Sequence, residues 1–142
     1  MEMTINRFIE AQKGAYAGYI QALNEIKQGK KISHWVWYIF PQVKGLGHSN
    51  MANYYGIVDK EEAKQYLAHE VLGARIREIT EALLAHKGKK ASDILGNIDA
   101  KKVRSCMTMF DCISPNDIFA EVIESFYDGK RCKFTLQFMQ EV

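Results

Sequence analysis

Residues 33–49, SHWVWYIFPQVKGLGHS, hold both tryptophans of the chain, two of its four histidines and one of its two prolines. Side chains of these types can do chemistry together. Trp35 and Trp37 offer flat faces that stack on a purine or nicotinamide ring, worth roughly 1–3 kcal/mol per base. Gln42 can hydrogen-bond a base edge or an amide. Gly45 and Gly47 let the backbone come close to a ligand, because glycine has no Cβ. Ser49 suits the N-cap of a helix through Met51, Tyr54 and Tyr55. Free N–H groups at such a helix start, next to a glycine loop, attract an anion. His34 can take or give a proton as general base or acid. The segment also has a structural reading, a buried aromatic turn that plugs a helical core. Against it, a core favours Leu, Ile and Val, and each indole N–H needs a partner.

A second set lies in Asp99–Phe110, DAKKVRSCMTMF. Val103, Cys106, Met107 and Phe110 fall on one inward stripe. Lys101, Arg104, Ser105 and Thr108 form a polar strip beside it, which reads as a solvated face. Alternatively, Arg104 clamps a phosphate or carboxylate with its planar fork. No metal site is expected, because His34, His48, His69 and His86 stand 14, 21 and 17 residues apart without a short ligand pair. No G-x-S-x-G, P-loop or Rossmann fingerprint is present, and no cofactor is expected.

The elements that must position these residues follow from periodicity. Ile5, Phe8, Ile9, Tyr16, Tyr19, Ile20, Leu23 and Ile26 mark one long amphipathic helix ended by Gly29. Asp59 with Glu62 resembles a capping box. Leu72, Ile76, Ile79 and Leu83 mark a helix stopped at Gly88. Ser92 is expected to cap a short turn, Asp99 to cap the helix through Phe110, and Ser114-Pro115 to open a helix that runs to Gly129. Phe134 and Phe138 suit a last helix. The expectation is one all-α domain over residues 1–142, with about seven or eight helices.

The balance of 19 Lys+Arg against 17 Asp+Glu is too small to imply nucleic acid. Lys27, Lys30 and Lys31, and Lys87, Lys89 and Lys90, bracket glycines where cations favour the negative end of a helix dipole. No apolar run reaches about 18 residues, so no membrane span is expected. Residues 1–10 lack the apolar stretch of a signal peptide. With an odd count of three cysteines, this points to reduced thiols and a cytoplasmic setting.

SHWVWYIFPQ, GLGHSNMANYYGI, YLAHEVLGARIRE and KKVRSCMTMF resemble the blocks of a bacterial family called domain of unknown function 1810, sometimes labelled calpastatin-like. The resemblance runs from about Asn6 to Met139, and it implies an all-helical single domain without an established activity. Cys106 departs from it, standing where the family often has Ser. RFIEAQKGAY is similar, through Phe8, Ala11, Gln12 and Lys13, to a block of a family that acts on ADP-ribose derivatives. That likeness implies N-glycosidic hydrolysis, with Glu10 as the carboxylate. The expected function is binding of a small nucleotide-like ligand, ADP-ribose or NAD-derived. Trp35 or Trp37 stacks the base, Ser49 and Arg104 hold phosphate, and His34 or Glu10 moves a proton. The alternative is a non-catalytic interaction module that uses the Trp-rich segment.

Overall fold

Gly14 and Gly18 divide the first helical stretch. The computed structural model describes residues 4–140 and has α1 at Asn6–Gln12 and α2 at Tyr19–Lys27, where the periodicity predicts a single helix. A Cβ on Gly18 would lie 1.9 Å from the Gly14 carbonyl oxygen. The chain therefore turns through a contact that glycine alone allows. Tyr16 and Ile20, predicted on the buried face, are 78% and 66% exposed, while Phe8, Tyr19, Leu23 and Ile26 are buried.

Eight further helices follow: α3 Val36–Ile39, α4 Asn50–Tyr55, α5 Lys60–Ala68, α6 Glu70–Leu84, α7 Ala91–Leu95, α8 Asn97–Ile113, α9 Ile118–Tyr127 and α10 Lys133–Gln140. Seven of the ten are seven residues or longer, and no strand occurs among the described residues. The fold is all-α and forms one domain. The ends of the expected range, residues 1–3 and 141–142, lie outside the described residues. Among the described residues, no helix is long and apolar enough to cross a membrane.

The long helix α8 is the centre. It packs against α3, α5, α7, α9 and α10, and α6 closes the other side against α2, α5 and α9. Val103, Cys106, Met107 and Phe110 are fully buried, as their stripe predicts. The Phe110 ring lies 5.5 Å from that of Tyr66 and 5.4 Å from that of Phe119. The neighbouring strip is not one solvated face. Ser105 and Thr108 are also fully buried, because α10 covers them. Ser105 Oγ shares a 2.7 Å hydrogen bond with Thr135 Oγ1, and Thr108 Oγ1 accepts from the Cys132 N–H.

Three helix starts differ from expectation. Ser92 lies inside α7, whose N-cap is Lys90. Asp99 lies in the first turn of α8, which begins after Gly96. The helix expected at Ser114-Pro115 starts after Asp117, which accepts from the Ile118 N–H and from Ser114 Oγ. A carboxylate positioned to accept the orphan N–H outcompetes the proline signal. Elsewhere the caps are as read. Ser49 accepts from the Ala52 N–H, Asp59 accepts from the Glu62 N–H, and Gly29 follows α2 with positive φ, whereas α6 stops at Leu84, before Gly88.

Two buried charges tie the α1–α3 region together. Arg7 grips Glu62 in two-pronged fashion at 2.7 and 2.9 Å and donates its remaining N–H groups to the carbonyls of Thr4, Tyr54 and Gly56. Glu25 accepts from the backbone N–H groups of Ile32 and Ser33, from Ser33 Oγ, from Gln21 Nε2 and from Trp35 Nε1. Burial pushes this carboxyl up, but its hydrogen bonds pull it down further, to about 2.

Candidate functional site

The two tryptophans point to different places for a local reason. Trp35 immediately precedes α3 and Trp37 is its second residue, and positions two apart on a helix do not share a face. Trp35 is fully buried, with its indole N–H donated to Glu25 at 2.9 Å. It is the aromatic plug. Trp37 is half-buried and lines a cavity of about 410 Å³ with His34, Lys31, Ile98, Asp99 and Lys102.

That cavity continues along α8. A second one, of about 430 Å³, shares Ile98 and Lys102 with it and adds Gln42, Leu46, Gly47, Lys101 and Arg104. A third, of about 610 Å³, shares Arg104 and Cys132 with the second and continues over Lys130, Arg131 and Lys133. The result is a groove with α8 as its floor. Ile98, Lys101 and Arg104 recur at steps of three, and Lys102 stands four from Ile98, so adjoining faces of α8 present them. Each compartment has the size of an ordinary ligand pocket.

The walls are held firmly. The Gln42 carbonyl accepts from the Ile57 N–H, and the Ile57 carbonyl from the Lys44 N–H, both at 2.9 Å. This fixes the chain on either side of the Gln42 side chain. Gly47 lies tight against it, since a Cβ there would stand 2.9 Å from Ala52 Cβ and 3.2 Å from Gln42 Nε2. On the far side, Arg131 donates to Asp111 at 2.8 Å and the Cys132 N–H donates to Thr108, seating the loop on α8. Asp99 pairs with Lys31 at 2.8 Å and lies 3.8 Å from Lys102, whose ammonium stands 5.2 Å above the Trp37 ring.

Hydrogen bonding sets this groove apart from the rest of the interior. Four buried side-chain polar atoms lack a partner among the described residues: Trp37 Nε1, Gln42 Oε1, Thr80 Oγ1 and Arg104 Nε. Three of the four belong to groove residues. Folded proteins rarely leave such atoms unpaired, because each costs about 1–3 kcal/mol. Arg7, Arg75, Arg77 and Arg131 all have acceptors, so among the described residues Arg104 is the one arginine of the five whose side chain finds none. Lys101, Lys130 and Lys133 also form no ion pair among the described residues. The groove is thus a line of cations with one lining carboxylate, Asp99.

Of the residues proposed from sequence, His34, Trp37, Gln42, Gly47 and Arg104 line the groove. The rest do not join them. Trp35 is in the core. Gly45 is exposed and turns the loop with φ +98°. Ser49 is exposed at the start of the six-residue α4, outside the cavities. Glu10 is on the surface in an ion pair with Lys13. The residues behind its assignment, Phe8 and Gln12, are packing groups. Phe8 is fully buried, and Gln12 joins the Tyr38 carbonyl, Tyr66 and Arg75. Asp99, Lys102, Cys132 and the 130–133 loop went unread. Lys102 adjoins the strip of Lys101 and Arg104, but nothing in the spacing brings residues 130–133 beside it.

The chain is similar to Rv1873, a conserved hypothetical protein of Mycobacterium tuberculosis with a crystal structure at 1.38 Å. Identity is 35%, 96% of each chain is covered, and the TM-score is 0.90. No curated protein matches the sequence. The description "Protein of unknown function (DUF1810)" fits residues 2–139, nearly the full length. This chain belongs to the DUF1810 family.

Proposed function

We propose that the domain binds a small nucleotide-like anion, of the ADP-ribose or NAD-derived class, in the groove along α8. The observation that carries the reading is the Arg104 guanidinium, whose buried Nε has no acceptor among the described residues, lining the same cavity as Gln42, whose Oε1 is unpartnered. A phosphate satisfies the first, and an amide or exocyclic amine satisfies the second. A ring stacked on Trp37 displaces Lys102 from the indole face and frees it for phosphate. The unpaired lysines nearby raise the local concentration of anions.

Binding rather than hydrolysis is the activity this arrangement supports best. Asp99 is the one lining carboxylate, and it is engaged by Lys31, while Glu10 is remote. Exposed Ile98 and Phe134 beside the groove favour the second reading, a protein-docking module.

A thermal-shift and tryptophan-emission screen tests the proposal. A ligand at 100 times its Kd stabilises the fold by about 2.7 kcal/mol. It should also shift the emission of Trp37. Arg104→Lys should weaken binding, because an ammonium cannot make the two-pronged contact. His34→Asn should leave binding intact. If nucleotides, NAD and ADP-ribose move neither the melting temperature nor the emission, the ligand reading fails and the docking module stands.

A further inference from the structure

We propose that Gln42 selects what the groove holds, favouring a nucleotide whose ring carries an amino or primary amide N–H over the same nucleotide without one. This rests on the groove being the ligand site, and it narrows the nucleotide-like class by the chemistry of a single ring substituent.

The second cavity contains a complementary pair that does not join. Among the described residues, Gln42 Oε1 is an acceptor without a donor, and Arg104 Nε is a donor without an acceptor. Both side chains line this one cavity of about 430 Å³. Lys101 and Lys102 line it too, and neither donates to the Gln42 oxygen. Gln42 is 5% exposed, so bulk solvent does not serve that oxygen either. An interior amide oxygen in this state calls for a donor that the chain does not supply. An occupant that bridges the pair presents an N–H at one end and an anionic oxygen at the other.

The amide is held where it is. Pro41 restricts the backbone ahead of it. Val43 behind it is buried, and the Gln42 carbonyl accepts from the Ile57 N–H at 2.9 Å. The nitrogen end of the amide packs against Gly47, where a Cβ would stand 3.2 Å from Nε2. The oxygen is the end left for a ligand, and an amide oxygen only accepts. The exocyclic amine of adenine and the carboxamide of nicotinamide each offer it an N–H. A purine with hydrogen at that ring position offers none. Nicotinic acid offers a carboxylate, which repels it.

Calorimetric titration of the full chain with two pairs of mononucleotides tests this. AMP is set against the monophosphate of purine riboside, and nicotinamide mononucleotide against nicotinic acid mononucleotide. The amino or amide member should bind about ten- to a hundredfold more tightly, the range for one hydrogen bond to a buried acceptor otherwise left unpaired. A groove that sorted by charge alone would prefer the nicotinic acid member, which carries one more negative charge. Gln42→Met keeps the length of the side chain and removes the acceptor, so it should bring both members of a pair to one affinity. Arg104→Met should weaken both members alike and keep their ratio. If the Gln42 variant does not fold, the wild-type ratio decides, and if only one pair binds, that pair decides. Equal affinity within a pair, preference for the member without the N–H, or a ratio that survives Gln42→Met overturns selection by Gln42. If binding then still depends on Arg104, the groove reading stands alone. Failure of all four to bind the wild type overturns both.

Discussion

Arg7 and Arg104 carry the same fork of donors, and their surroundings give them opposite roles. Every donor group of Arg7 is matched, to Glu62 and to three carbonyls. Arg104 has a buried Nε with no acceptor among the described residues. Breaking a buried ion pair strands its partner, so Arg7→Met should cost about 3–5 kcal/mol. Removing an unmatched donor relieves a penalty, so Arg104→Met should be neutral or stabilise the ligand-free domain by up to about 1 kcal/mol. The denaturant midpoint should fall for Arg7→Met and hold or rise for Arg104→Met. A large loss at Arg104 would mean that its side chain holds the fold. The sequence offers Arg104 as an anion clamp and gives Arg7 no role. Burial is decided by α5 reaching back over α1, which spacing does not encode.

Glu25 shows how an element is aimed. Five donors converge on it, four of them from residues 32–35 counting both groups of Ser33, and so it sets the path into α3. Glu25→Gln keeps the shape but loses the charge-assisted bonds, and should cost on the order of 2–4 kcal/mol at neutral pH. The carboxyl is held at about 2, below its ordinary value of 4.5. Its stabilisation is then complete above that ordinary value and disappears as pH falls towards 2. The stability gap between wild type and variant should close over the same window. A gap that stays constant with pH would show that the charge is not what matters. At this scale the sequence was informative wherever one face was apolar, as at α6, α8 and α10. It misled at α1–α2, because Ile9 and Tyr16 are seven residues apart, about two helical turns, so the pattern stays in phase across the Gly14–Gly18 break. It also misled at Ser105 and Thr108, whose hydroxyls are paired in the core. Polar type signals solvent only when no partner is at hand.

At the scale of the whole molecule, α8 serves two purposes along its length. Its first two turns floor the groove, and the remainder runs through the core. Phe110→Ala should open a cavity between α5, α8 and α9 and cost about 3–5 kcal/mol. Total stability is typically about 5–15 kcal/mol, so the variant should unfold as a unit at much lower denaturant, with ligand binding and helicity lost together. A wild-type midpoint would mean that the aromatic stack carries little of the stability.

The groove is built from α8, Trp37 of α3 and two loops, residues 41–47 and 128–133. The helix α8 runs through the core, and of the loop residues Val43 joins it. Substitutions in the loops can reshape the walls and the charge at either end while leaving the stacked interior of α5, α6, α8 and α9 untouched. Such an architecture can diversify cheaply. Descendants of one ancestral fold can come to prefer different molecules while their backbones remain superimposable, so close structural agreement between two members does not by itself mean that they share a ligand.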